Sequence, residues 1–187
     1  MQKYAIIYAD PPWHFRTYSD AWQKQNICSR WAGKHYPLMS AEDIQRVPVR
    51  NIADRDCALF LWATFPTLPQ ALAVIAAWGF TYKTVAFTWV KINKKSNSLF
   101  WGAGYWTRSN AEICLLATKG KPKRVSRKVH SVLMEKVSRH SEKPSEARKR
   151  IVELIGDLPR LELFAREKAK GWDVWGNEVK SDVELVI

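Results

Sequence analysis

Asp10, Pro11, Pro12 and Trp13 stand directly after the apolar run Tyr4-Ala5-Ile6-Ile7-Tyr8-Ala9. Neither proline carries a backbone N–H, and each biases the residue before it towards extended geometry. The loop therefore offers acceptors, the Asp10 carboxylate and free backbone carbonyls, beside the flat face of Trp13. Such a loop suits an amino group on an aromatic ring. In the exocyclic amine of adenine the nitrogen lone pair is delocalised into the ring, and the nitrogen becomes nucleophilic only as it pyramidalises. Positive charge grows on it as a methyl group arrives, and carboxylate and carbonyl dipoles stabilise that charge where it develops. Stacking on an indole is worth about 1–3 kcal/mol per base in single-strand binders. The competing reading is that the tetrad is only a strand end and a turn.

Holding an acid in place requires a rigid element, and residues 4–9 have the length and character of a buried strand. Prolines cannot continue a ladder, so pairing must stop at about Asp10. That leaves the acid at a strand's carboxyl end, where ligands bind in open α/β sheets.

Residues 14–37 show neither helical nor strand period and read as a long loop with Trp22, Trp31 and Tyr36 among basic residues. Loops of this length are usually functional or mobile. This one can close over a base, or its tryptophans can tuck into the core. Ser40-Ala41-Glu42-Asp43 fits a capping box, which predicts a short helix from Ser40 that ends by Pro48. The continuous apolar run 57–63 predicts a central strand covered on both faces. From 64 to 79, Leu68, Leu72, Ile75 and Ala76 follow helical spacing, with Gly79 as the stop. Residues 82–91 and 111–117 read as strands. Between them, residues 92–110 interleave lysines and Arg108 with Phe100, Trp101, Tyr105 and Trp106, the composition of a surface that tracks phosphates and stacks bases. A hairpin whose aromatics cover the core is the other reading. Pro144 opens a helix whose buried side is Ala147, Ile151, Leu154 and Ile155, ending at Gly156. Strands are expected at 160–166 and 172–178, and a final one at 183–187.

The 187 residues suffice for one domain with a real core and no disulfide or metal staples. Formal net charge is +12, which favours a polyanionic partner. From Lys119 to Arg150 twelve basic residues face only Glu135, Glu142 and Glu146, so this segment carries +9 of that total. Ten tryptophans tilt the choice towards nucleic acid. The three cysteines and four histidines show no ligand spacing, so no metal site is expected. No apolar run approaches transmembrane length and no signal peptide precedes the first strand, which predicts a cytoplasmic protein without membrane contact. No GxGxxG is present, which disfavours nicotinamide and flavin cofactors.

With Asp10-Pro11-Pro12-Trp13 the chain resembles the DPPW-type adenine-N6 methyltransferases of the MT-A family, which includes messenger-RNA methyltransferases and small bacterial and phage DNA methyltransferases. The resemblance extends over nearly the whole chain. It implies an α/β Rossmann-like class I methyltransferase fold, circularly permuted so that the DPPW strand precedes the cofactor strand. It also implies S-adenosyl-L-methionine as cofactor and a single domain over 1–187 with loop insertions at about 14–37 and 92–110.

Carried over by resemblance, Asp10, Pro11, Pro12 and Trp13 are the catalytic residues, and His35, Tyr36, Lys91 and Glu112 join Trp13 around the target base. Lys143, in a Lys-Pro before a helix, is expected to meet the cofactor's carboxylate. Glu162, Leu163, Phe164 and Arg166 form the cofactor turn, which Asp10 borders. There Ala165 replaces an expected glycine, harmless provided the backbone avoids positive φ. Asn177 and Glu178 are the expected ribose and adenine contacts. Larger members have a cofactor-contacting strand before the DPPW strand, and residues 183–187 are the expected substitute.

DNA is the expected substrate, because the chain is little more than a bare catalytic domain, and in duplex DNA the adenine must be flipped out. RNA is the alternative, as are a non-catalytic nucleic-acid-binding role and a tryptophan-rich interaction protein with a merely structural tetrad. A homodimer is one way to supply further binding surface.

Overall fold

A computed structural model describes residues 2–14, 38–102, 104, 106–137 and 142–185. The expected loop at 14–37, with His35 and Tyr36, lies almost wholly outside the described residues. The strands are β1 (Tyr4–Ala9), β2 (Ala53–Ala63), β3 (Thr81–Ile92), β4 (Glu112–Lys119), β5 (Val132–Lys136), β6 (Arg160–Leu163) and β7 (Asp173–Trp175). The helices are α1 (Ala41–Arg46), α2 (Val49–Ile52), α3 (Leu68–Ala77) and α4 (Ser145–Ile155), with a 3-10 turn at Phe65–Thr67 before α3.

The strands form one mixed sheet in the order β5-β3-β4-β2-β1-β6-β7. β1 pairs in parallel with β2 and β6, while β4 runs antiparallel to both β2 and β3. Hence β1, β2, β3 and β6 end, and β4 begins, at one edge of the sheet. Alternation along the central strands sends Ile7, Ala9, Leu59 and Leu61 to a core with Ile44, Val74, Ile75 and Trp78. Ile6, Tyr8, Phe60 and Trp62 go to a second core with Ala147, Ile151 and Ile155 of α4. Covering both faces explains why β1 and β2 read as continuous apolar runs rather than alternating ones.

Ser40 caps α1 by accepting from Asp43 N at 3.1 Å, but its hydroxyl donates to the Asp43 carboxylate, so the reciprocal half of the capping box is absent. The buried side of α3 is Ala71, Val74 and Ile75 with Trp78, whose indole donates to Ile44 O; Leu72 is exposed. Of the expected face Ile75 is buried and Leu68 packs partly against the core, whereas Leu72 and Ala76 turn outward, because the stripe that meets the sheet runs through the small residue Ala71 and Val74. Gly79, at φ 82°, ends the helix as expected.

One strand was not expected, and three expected strands need correction. β5 had no sequence signal: it is a short edge strand inside the basic segment, and only Leu133 is buried. β6 and β7 stop at Leu163 and Trp175, so Phe164, Arg166, Asn177 and Glu178 lie in turns. Residues 183–185 form no strand, and Val183 and Glu184 flank Tyr4 and Asp173, at the sheet edge opposite Asp10. From there they cannot supply cofactor contacts beside Asp10. Among the described residues no helix is long and apolar enough to cross a membrane.

Candidate active site

Asp10 emerges from the buried end of β1 and its Oδ2 accepts from Lys143 Nζ at 2.7 Å. Lys143 also lies 3.3 Å from Glu112 Oε2, and the other Glu112 oxygen accepts from Lys91 at 2.5 Å. Alternating charges thus join the end of β1, the approach to α4, the start of β4 and the end of β3. Lys143 sits 5.7 Å from the Trp62 ring centre and Lys91 5.0 Å from that of Trp89, so indole faces shield both ammonium groups.

Burial alone would raise the Glu112 carboxyl, but Lys143 and Lys91 outweigh it and pull the group down to about 2. Burial would lower Lys143, yet Asp10 and Glu112 hold it protonated and raise its pKa. For Asp10 burial prevails: its carboxyl is pushed above the ordinary value, with Lys143 restraining the rise. A half-buried carboxylate that is only partly compensated is a strong acceptor for a developing positive charge.

Of the two carbonyls expected to be free, those of Asp10 and Pro11, the second is engaged within the loop. Pro11 O accepts from Trp13 N at 2.8 Å and Pro12 O from Met39 N at 2.9 Å. With two prolines lacking donors, the next N–H in the chain folds back onto the first of them. Pro11 O keeps a second lone pair. Trp13 is 8% exposed and its indole N–H donates to Trp62 O at 2.9 Å, which seats the ring against β2.

Beside Asp10, on the α4 side, a concavity is lined by Tyr8, Glu142, Lys143, Arg148, Glu162, Phe164, Arg166, Glu167 and Glu178. Tyr8 and Glu162 are register partners across β1 and β6. Glu162 accepts from Arg148 Nε at 2.7 Å and Nη2 at 2.9 Å, a bidentate clamp. Arg166 Nε donates to Glu178 at 3.0 Å. Ala165 avoids positive φ, which falls on Phe164 at 60°, a conformation costing a non-glycine residue about 1–3 kcal/mol. The Phe164 ring meets Trp175 edge-on at 5.4 Å. Gly176 is required here, since an added Cβ would lie 2.1 Å from Ala165 O.

The structure therefore joins Asp10, Lys143, Glu112 and Lys91, and separately gathers Glu162, Phe164, Arg166 and Glu178. Leu163 points into the core on the other face of the sheet, and Asn177 is exposed outside the concavity. Arg148 was missed. A cation in the first turn of a helix opposes the helix dipole, which is the sign that it has a specific partner. Among the described residues no group of His, Cys, Asp or Glu is arranged to hold a metal ion.

The residues fit S-adenosylmethionine. Five acidic side chains against three basic ones suit a ligand with a sulfonium, an ammonium and one carboxylate, and Phe164 offers an apolar surface.

Comparison with known proteins finds a match to the MT-A70 family over residues 4–178. The type II methyltransferase M.MunI of a Mycoplasma species is 34% identical over 95% of this chain and 78% of its own length. The MT-A70-like N(6)-adenosine-methyltransferase of Drosophila melanogaster is 27% identical over 98% of this chain but 29% of its own. For the human METTL3 catalytic subunit the figures are 25%, 95% and 28%. The family match begins with the first residue of β1 and ends at Glu178, so it takes in both the charge network at Asp10 and the concavity beside it: the chain belongs to the MT-A70 family.

Proposed function

We propose that this chain methylates adenine N6 in DNA, with S-adenosylmethionine as methyl donor and no covalent enzyme intermediate. The observation that carries the reading is a half-buried acid at a strand's carboxyl end, held by Lys143 and bordering a concavity with the charge pattern of that cofactor. When bound, the cofactor supplies an electrophilic methyl group on sulfur. Lys143 holds Asp10 Oδ2, and Oδ1 accepts one N–H of the target amine. The second lone pair of Pro11 O accepts the other N–H. Burial strengthens Asp10 as an acceptor while positive charge grows on the nitrogen. Trp13, with His35 and Tyr36, borders the base, and Lys91 and Glu112 stiffen the far side. Of the two residues expected at the ribose and adenine, Glu178 lines the concavity and keeps that role, whereas Asn177 lies outside it.

The strand order supports a circularly permuted Rossmann-like domain, since β1 precedes β6 in the chain and pairs beside it in the sheet. DNA is favoured because M.MunI, 34% identical and matched over 78% of its own length, is a type II methyltransferase, a term used for DNA-modifying enzymes. The Drosophila and human N(6)-adenosine-methyltransferases match over less than a third of theirs, and an N6-methyladenosine RNA methyltransferase of Cryphonectria parasitica over 51% at 23% identity, which makes RNA the second reading. The deciding experiment offers labelled S-adenosylmethionine with duplex DNA, single-stranded DNA and RNA pools. Label is expected in DNA adenine and absent with Asp10→Ala. Label only in RNA establishes the second reading, and none in any pool favours a non-catalytic role.

A further inference from the structure

Trp106 is 92% exposed, the most exposed of the large apolar side chains among the described residues, although tryptophans are on average well buried. It sits at the tip of a braced arm. Between the end of β3 at Ile92 and the start of β4 at Glu112 the chain leaves the sheet at the edge where Asp10 emerges. Asn110 stands opposite Lys91 in continuation of the β3–β4 register but pairs through its side chain. Its Oδ1 accepts from Lys91 N at 2.9 Å, while Nδ2 donates to Lys91 O at 2.9 Å and to Phe100 O at 2.5 Å. Phe100 N donates to Lys91 O as well. The arm is thereby rooted on Lys91, whose ammonium belongs to the charge network at Asp10.

Above that root Gly102 N donates to Ser109 O at 2.7 Å, and Arg108 Nε closes the neck on Gly102 O at 3.3 Å. Gly104 packs so tightly on Thr107 that an added Cβ would lie 1.9 Å from its carbonyl oxygen. Trp106 therefore projects from a narrow, fixed turn. From 92 to 111 the chain carries Lys94, Lys95 and Arg108 and no acid, which suits a phosphate backbone beside the ring better than a protein partner.

A flipped adenine leaves a gap in the duplex. Its stacking neighbours lose contact area, and apolar side chains that enter opened base steps restore it. A flat ring on a stiff stalk is the shape that such a gap admits. Building on the DNA reading above, we propose that Trp106 enters the stack vacated by the target adenine and holds the duplex open while the base lies at Asp10. Rooting the arm on Lys91 keeps the ring and the acceptor loop in one fixed relation.

The test compares initial methylation rates with labelled S-adenosylmethionine on one mixed-sequence DNA, offered as separate strands and annealed. Trp106→Ala should lower the ratio of duplex to single-strand rate by about tenfold or more, since the contact is lost only where a stack exists. Trp106→Phe, which keeps a ring, should recover most of that ratio. Thermal unfolding should be unchanged in both variants, because the side chain is exposed. An unchanged ratio, an equal loss on both substrates, or Trp106→Phe as poor as Trp106→Ala overturns the proposal. So does a change of oligomeric state in Trp106→Ala, read by sedimentation, which would place the ring at a protein interface. If the unaltered chain labels single strands alone, the wedge fails and methylation of DNA stands. If it labels neither form, the DNA reading fails as well.

Discussion

At the scale of single residues, Asp10 differs from an ordinary surface aspartate because burial outweighs the lysine beside it. Asp10→Ala should lower methyl transfer by at least about 100-fold, the loss typical when a group aimed at developing charge is removed. Its thermal unfolding should stay cooperative, since the strand that positions Asp10 is held by β2 and β6. The acid works as a carboxylate and its pKa in the folded protein is raised, so kcat should fall as pH drops through a value above 3.8. The negative charge of Glu112 contributes to that rise. Glu112→Gln should therefore move the acid limb of the kcat–pH profile to lower pH, and a limb that stays put would separate the two carboxylates. Glu112 has the opposite sign as a stability contributor. Its carboxyl is depressed from 4.5 to about 2, so its contribution is complete above pH 4.5 and is lost as pH falls towards 2.

At the scale of elements, the turns after β6 and β7 depend on a close approach of backbone. Gly176→Ala must push Ala165 aside, which displaces the Phe164–Arg166 turn; the expected outcome is S-adenosylmethionine affinity lowered by tenfold or more, on the order of 1.4 kcal/mol, read by calorimetry. Ile151→Ala on α4 should cost about 2–5 kcal/mol in chemical denaturation, because the side chain is fully buried against the sheet. Central elements were legible because continuous apolar runs mark strands covered on both faces. The face of α3 was not, since alanines and leucines lie all round that helix and leave more than one apolar stripe to choose from. β5 escaped notice because an edge strand with one buried residue has no period to detect.

At the scale of the whole molecule, much of the basic segment's charge, from Lys119 to Lys128, lies away from Asp10. The basic segment starts at Lys119, at the sheet edge opposite Asp10, and returns along α4, where Val125 N donates to Leu154 O and Arg150 donates to His130 O. A partner that meets both this flank and the active site must be extended, as duplex DNA is. Replacing Lys123, Arg124, Arg127 and Lys128 with glutamine should weaken DNA binding at low salt and flatten the dependence of log Kobs on log salt, since each released counterion contributes to that slope. An unchanged slope would remove this flank from the interface.

The sequence by itself determined the acceptor loop, the strand that carries it and the family, because these signals are local and contiguous: an apolar run, an acid, two prolines, an indole. It also pointed to Lys143, Glu112 and Lys91 singly, through resemblance. Only the tertiary structure decided that these three form one network with Asp10, which lies 133 residues from Lys143. The same holds for Arg148 and Glu162, whose meeting depends on α4 lying across β6. Charge pairing depends on which strands become neighbours, and a strand order in which β1 sits between β2 and β6 is set by the packing of the whole sheet rather than by any stretch of the chain.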